Sequence, residues 1–247
     1  MAFDQTKPKI ICVSFDFLFC GTLMQPLSYQ VILWDWNGTL LNDSEFCSSI
    51  INGMLRRRGL PERSLGEHAR LFDFPVIVYY ERVGFDLQKE PFEVTSQEFI
   101  DAYYSGVERC ELKAGCDAVL GSLKAAGYRQ LILSASRQDH LENQVGHYGL
   151  LPHFEELLGI DTVHAPGKTG RGHEWIVESG IDPARVLLVG DTVHDSEVAE
   201  KMGIDCWLVK GGHHTLERLQ ETGRQIFGSI SEVQSELLGD LQMETGT

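Results

Sequence analysis

The stretch Val31–Asp43, "VILWDWNGTLLND", carries the decision about the fold. Four apolar residues run without a break into Asp35, and Asn37, Gly38 and Thr39 follow directly. A short continuous apolar run reads as a parallel strand covered on both faces. It delivers a carboxylate rigidly to its own C-terminal end, where Gly38 permits a sharp exit turn and Thr39 offers a hydroxyl. Taken alone, an acid in this position is as well explained by capping of the next helix as by chemistry.

The same rhythm continues along the chain. "DSEFCSSIINGMLRRRG" sets Phe46, Ile50, Ile51, Met54 and Leu55 at helical spacing and stops at Gly59. Further strands are read in "YRQLILSAS", "ARVLLVGD" and "DCWLVKGG", separated by helices in "GCDAVLGSLKAAG", "DHLENQVGHYG", "GRGHEWIVESG" and "SEVAEKMG". Strands alternating with helices predict an α/β fold, a doubly wound parallel sheet of the Rossmann-like kind. Ligands in such sheets sit at the C-terminal strand ends, where Asp35, Ser134 and Asp191 all fall. Residues 47–111 break the alternation: "SLGEHARLFDFPVIVYYERVGF" and "TSQEFIDAYYSGVERC" look helical, with "VIVYY" open between strand and helix. The expected organisation is a core over 29–46 and 112–240 and a helical insertion over 47–111. An extension of uncertain structure precedes them over 1–28, and the end "GDLQMETGT" is read as frayed.

Composition narrows the function. With 36 acidic against 21 basic side chains and a formal charge of −15, the chain repels DNA, RNA and anionic lipid. Its 43% hydrophobic content supplies ample core for 247 residues. The six cysteines show neither a C-x-x-C pair nor a partnered histidine spacing, which favours free thiols and a cytoplasmic setting over a disulfide framework or zinc site. No apolar run approaches the roughly 20 residues that span a bilayer. The N-terminal "IICVSFDFLFCGTLM" superficially resembles an export signal, but Asp16 interrupts it and no small-residue cleavage site follows. Its "FDFLFCGTL" echoes "WDWNGTL" with two extra residues before Gly-Thr, so Asp16 is read as a bystander.

A second strand-end acid pair occurs in "LVGDTVHDSE", where Asp191 and Asp195 follow Gly190. Carboxylates brought together repel unless a cation joins them, and with Asp35 they offer hard oxygen ligands suited to Mg²⁺. Asp195 is equally placed to cap the helix it precedes. Ser134 and Ala135 in "LILSAS" set a hydroxyl and a backbone N–H where a phosphate oxygen can bind, although serine before a helix is commonly an N-cap. Lys168 in "HAPGKTGRG" would neutralise excess acid and hold a phosphate, against the plain alternative of a solvated loop lysine. His194 reads as a surface residue, "KGGHHT" as a loop after the last strand, and Arg56, Arg57, Arg58 and Arg82 as a solvated face.

Taken in order, "DWNGTLLND", "LILSAS", "GK" and "GDTVHD" resemble the four motifs of the haloacid dehalogenase-like hydrolase superfamily, over about Tyr29 to Lys210. The likeness is to its phosphoglycolate phosphatase-like branch with a helical cap. The resemblance implies a Mg²⁺-dependent phosphatase of a small phosphorylated metabolite, with no nucleic-acid or membrane partner. Asp35 would be the nucleophile that becomes an aspartyl-phosphate, and Asp35, the Asn37 carbonyl, Asp191 and Asp195 would hold the metal. Catalysis would rest on Asp35, Asn37, Thr39, Ser134 and Lys168, and substrate binding on Gly38, Ser134, Ala135 and Lys168. The insertion would be the cap that closes over the site.

One position departs from the pattern. The family's phosphatases carry an acid/base Asp where this chain has Asn37, and such help is typically worth about 10²–10⁴-fold. Three outcomes stay open: a leaving group that needs no proton or an acid borrowed from elsewhere, a slow phosphatase with a long-lived phospho-enzyme, or binding without turnover. Glu45, His194 and His164 are the candidate replacement acids. A phosphonatase-like C–P hydrolase is the alternative enzyme, needing a cap lysine for which Lys89 is the candidate.

Overall fold

A computed structural model describes residues 29–160 and 167–243 of the chain. The extension read over 1–28 with Asp16, His164, and residues 244–247 lie outside the described residues. The first strand, β1 (Val31–Trp34), is buried along its whole length. Its side chains alternate between two apolar layers: Ile32 and Trp34 enter one, Val31 and Leu33 the other. This is the two-sided burial that a continuous apolar strand requires.

After β1 the chain makes a two-residue strand β2 (Leu41–Asn42) and then four helices, α1 (Ser44–Arg57), α2 (Leu65–Leu71), α3 (Val76–Val83) and α4 (Phe92–Tyr104). It returns through the equally short β3 (Glu111–Leu112), which pairs antiparallel with β2, Leu41 opposite Leu112. The core resumes with α5 (Cys116–Ala125), β4 (Arg129–Arg137), α6 (Gln138–His147), β5 (Glu156–Ile160) and α7 (Gly167–Ser179). It closes with β6 (Val186–Gly190), α8 (Val193–Met202), β7 (Asp205–Val209), α9 (Leu216–Gln220), β8 (Gln225–Phe227) and α10 (Ile230–Met243).

The six core strands are all parallel, in the order β5-β4-β1-β6-β7-β8. The chain winds outward to one side of β1 and then to the other, which opens a crevice at the C-terminal end of β1. Side chains of α7, α8 and α9 (Trp175, Ile176, Val198, Ala199, Met202, Leu219) cover one face. Those of α5, α6 and α10 (Val119, Leu120, Leu123, Leu141, Val145, Val233, Leu237) cover the other. That second layer runs on through Trp36, Leu40 and Leu41 into the helical group α1–α4, so the two parts share one apolar continuum. Among the described residues, no helix is long and apolar enough to cross a membrane.

Several local readings change. "VIVYY" is helical, within α3, because Tyr79, Tyr80 and Val83 bury on one face and packing overrides β-branched propensity. β7 is not the last strand: β8 follows it, three residues too short for periodicity to show. The "GDLQM" part of the supposedly frayed end belongs to α10.

Trp34 ties the central strand to its neighbour, donating Nε1–H to Gln130 Oε1 at 3.1 Å, while Gln130 donates to the Leu120 carbonyl at 2.8 Å. Trp34→Ala opens a cavity and leaves the Gln130 oxygen unpaired. The expected loss is about 3–5 kcal/mol of folding stability, read from the urea midpoint at unchanged m-value.

Candidate active site

The parallel register sets Trp34 beside Ile132 on one side and Val189 on the other. Asp35, Ser134 and Asp191 therefore emerge along one sheet edge. The Asp35 N–H donates to the Val189 carbonyl at 2.8 Å, which extends the ladder one residue past β1 and fixes its Cα. Carboxylate oxygens of Asp35, Asp191 and Asp195 lie within 4.8 Å of one another, all three residues buried. Lys168 donates from Nζ to Asp35 Oδ1, and to Asp195 Oδ1 at 2.5 Å. It is not a loop lysine: it sits in the first turn of α7 and is 4% exposed.

Burial decides the protonation balance. It pushes Asp35 and Asp191 above the usual carboxylate range, more than the nearby Lys168 and His213 charges pull them down. Burial pushes Asp195 up too, but the Lys168 ammonium, its hydrogen bond and those from Thr192 more than offset it and hold the carboxyl low. Burial lowers Lys168, and its two carboxylate partners more than reverse that, so it stays charged. Three convergent acids against one ammonium leave excess negative charge, and three hard oxygen donors at this spacing fit a Mg²⁺ ion.

The supports of these groups are equally defined. Thr39 Oγ1 donates to Asp191 Oδ1 at 2.9 Å, and the His213 N–H donates to Asp191 Oδ2 at 2.5 Å. Asp195 Oδ2 accepts from the Thr192 N–H at 3.0 Å and the Thr192 hydroxyl at 2.6 Å, completing a capping box on α8. It thus caps its helix and faces Lys168 with its other oxygen. Gly38 has a φ of 78°, and a Cβ there would collide with the Asp191 carboxylate, so the turn is closed to other residues on two counts.

Asn37 is fully engaged. Its Nδ2 donates to Asp43 Oδ2 at 2.8 Å and to the Tyr103 hydroxyl at 2.7 Å, and its Oδ1 accepts from the Ser136 hydroxyl at 3.0 Å. The Tyr103 hydroxyl, from α4, in turn donates to Asp43 Oδ2 at 2.7 Å. The other Asp43 oxygen accepts from the Gly38 N–H at 2.9 Å and meets His213 Nε2 at 3.2 Å. Asp43 is completely buried; burial raises it, but His213 and the donated bonds hold it below the ordinary value. Burial works against a charged His213, yet its bond to Asp43 and the surrounding carboxylates raise it to about 9.

Ser134 is buried on the cavity wall but is not an N-cap. β4 runs on to Arg137 through an irregularity after Leu133, α6 starts at Gln138, and the Ser134 oxygen accepts instead from the Ser136 N–H at 3.1 Å. A cavity of about 820 Å³ opens over Asp35, Asn37, Ser134, Ala135, Lys168 and Asp195, roofed by α1–α4. His194 lines it, stacked on Phe74 with ring centroids 4.3 Å apart, so it is not simply a surface residue. Glu45 is exposed and does not line it. Arg56, Arg57, Arg58 and Arg82 pair with Glu62, Glu98, Glu90 and Asp73, and Lys89 pairs with Asp86 at 84% side-chain exposure; none reaches the cavity.

A family model described as haloacid dehalogenase-like hydrolase matches residues 32–209. A phosphoglycolate phosphatase of Caulobacter vibrioides is 25% identical over 82% of this chain and 88% of its own. The tyrosine-protein kinase PtkA of Mycobacterium tuberculosis is 25% identical over 81% of this chain and 68% of its own. Among solved structures, a haloacid dehalogenase-like hydrolase from Streptococcus pneumoniae superimposes with a TM-score of 0.66 at 18% identity, covering 85% of this chain and 98% of that one, a likeness of fold.

Sequence reasoning missed Asp43, Tyr103, Ser136 and His213. Asp43 ended the quoted motif and could have been weighed; His213 lay in "KGGHHT", where only tertiary contact reveals its bonds to Asp191 and Asp43. Together Asp43, Cys47 and His213 form a second group of three possible ligand atoms within 4.8 Å. The geometry also revises what an acid at position 37 would do. Asn37→Asp presses a carboxylate onto Asp43, a like-charge contact in a buried setting. The variant is expected to lose about 1–3 kcal/mol, and the exchange Asn37→Asp with Asp43→Asn to regain most of it. A denaturation double-mutant cycle reads the coupling directly.

Proposed function

This chain belongs to the haloacid dehalogenase-like hydrolase family, and from that membership we propose a phosphomonoester hydrolase working through an aspartyl-phosphate on Asp35. The observation that carries the reading is the convergence of Asp35, Lys168, Asp191 and Asp195 on the floor of one cavity. The likeness to a phosphoglycolate phosphatase supports phosphate-ester chemistry.

Asp35 attacks phosphorus from the floor, its carboxylate pre-positioned by the ladder bond to Val189. Lys168 holds Asp35 and Asp195 at a distance their own charges resist, and lends positive charge to the transferred phosphoryl oxygens. The Ser134 hydroxyl and the Ala135 N–H bind those oxygens from the β4 end, and the Gly38 turn admits them close to backbone. Asp35, the Asn37 carbonyl, Asp191 and Asp195 would hold Mg²⁺, with Thr39 orienting Asp191. When bound, the ion supplies the positive charge that the excess carboxylates call for. Helices α1–α4, residues 47–111 in the main, act as the cap that excludes water and selects the substrate.

Acetyl phosphate tests the core of this reading, because its leaving group needs no proton and Asn37 is no handicap. Phosphate release is expected to require Mg²⁺ and to stop with EDTA, and mass spectrometry of quenched enzyme should find a phosphoryl adduct on the Asp35 peptide. Asp35→Asn should abolish both signals, and Lys168→Met should lower kcat by about 10²–10³. Turnover that survives Asp35→Asn would refute the nucleophile assignment. Mg²⁺ and phosphate binding with no transfer would leave a silent binding protein.

A further inference from the structure

The roof of the cavity is aromatic and carries almost no positive charge. Phe72, Phe74, Tyr79, Phe92, Phe99 and Tyr104 line it. Phe72 meets both Phe74 and Tyr79 edge to face at 5.3 Å, and Tyr104 stacks on His140 at 3.5 Å across the α4–α6 boundary. Among the described lysines and arginines, only Lys168 and Arg137 reach the cavity. Lys168 is committed to two carboxylates on the floor. Arg137 has a side chain 56% exposed and doubly bonded to Asp139. The cations a substrate carboxylate of the phosphoglycolate kind would meet, Lys168, Arg137 and His213, are each already paired with a carboxylate of the protein, whereas an aromatic body would find faces and edges to pack on.

The floor points the same way. Asn37 spends both amide hydrogens on Asp43 and Tyr103 and its oxygen on Ser136. It has no proton to give and no freedom to turn toward a departing oxygen. An alkoxide leaving without a proton is a poor leaving group; a phenolate spreads its charge into the ring and departs unaided.

We propose that the substrate is a phosphate monoester of a phenol whose aromatic body lies under the helical roof. This rests on the phosphatase reading above and narrows it. In the first step the Asp35 oxygen bonds to phosphorus while the phosphorus–oxygen bond to the ring breaks, its electron pair leaving on the phenolate. In the second, a water oxygen bonds to phosphorus, the bond to Asp35 breaks and returns its pair to the carboxylate, and both water protons leave on dihydrogen phosphate. The phenolate takes its proton from solvent after release.

The test is a comparison of kcat/KM for 1-naphthyl phosphate, phosphoglycolate and a set of substituted phenyl phosphates with the full-length Mg²⁺-loaded protein. Naphthyl phosphate is expected to exceed phosphoglycolate by about tenfold or more, and kcat/KM to fall by about tenfold or more from the 4-nitrophenyl to the unsubstituted phenyl ester. Phe74→Ala is expected to raise KM for naphthyl phosphate about fivefold to tenfold with little change in kcat. Ile100→Lys, at a cavity-lining position already 39% exposed, should shift preference toward phosphoglycolate. Phosphoglycolate as the better wild-type substrate overturns the inference and leaves the phosphatase reading standing. A series flat in leaving-group acidity also overturns it, because it would mean that a protein group such as His213 donates the proton. Release from none of the esters, with no label on Asp35, removes both readings.

Discussion

The Lys168 ammonium is the interaction on which the rest of this site depends. Three aspartates converge at the end of a parallel sheet with almost no access to water, and carboxylates so placed drive one another apart or take up protons. Lys168 reaches Asp35 and Asp195 at once, from the first turn of a helix on a third crossover. Without that bridge the register linking β1 and β6 would carry an unbalanced charge cluster into its own C-terminal edge. Folding and the proposed chemistry therefore draw on the same contact: the residue that lets the acids assemble is the one proposed to hold the phosphoryl group.

Much of this was legible in the sequence, for a reason that particular residues make plain. A strand buried on both faces has to be apolar throughout, so Val31–Trp34 and Val186–Val189 announced themselves, and the acid after each could only lie at the sheet edge. Gly38 could be read as a sharp exit turn, and the fold adds that a side chain there would meet Asp191 as well as strain the backbone. What stayed hidden was set by tertiary contact. His213 sits in a loop with no periodicity, and its place beside Asp191 and Asp43 comes from how the segment after β7 folds back. Tyr103 looked like one aromatic in a helical face until the helix docked on Asp43.

Asn37 is where the local pattern and the surrounding structure have to be read together. Read along the chain, it is a lost acid. Seen among its partners, the amide is the only group of that size able to donate to Asp43 and Tyr103 while accepting from Ser136. The buried negative charge in this corner sits on Asp43, opposite His213, and Asn37 is the neutral hub of a network joining core and roof. The amide at this position is thus matched by polar partners drawn from three other segments.

The paired strands β2 and β3 carry a different kind of consequence. The chain leaves the core at Leu41–Asn42 and re-enters at Glu111–Leu112, and these residues lie side by side in one small ladder. Everything between is attached through two adjacent junctions, as a cartridge is attached through one socket. A segment joined this way can be lengthened, shortened or exchanged for another without altering the connectivity of the six-stranded sheet. Recombination at that ladder would exchange the roof as a unit while Asp35, Lys168, Asp191 and Asp195 stay in place on the sheet and its helices.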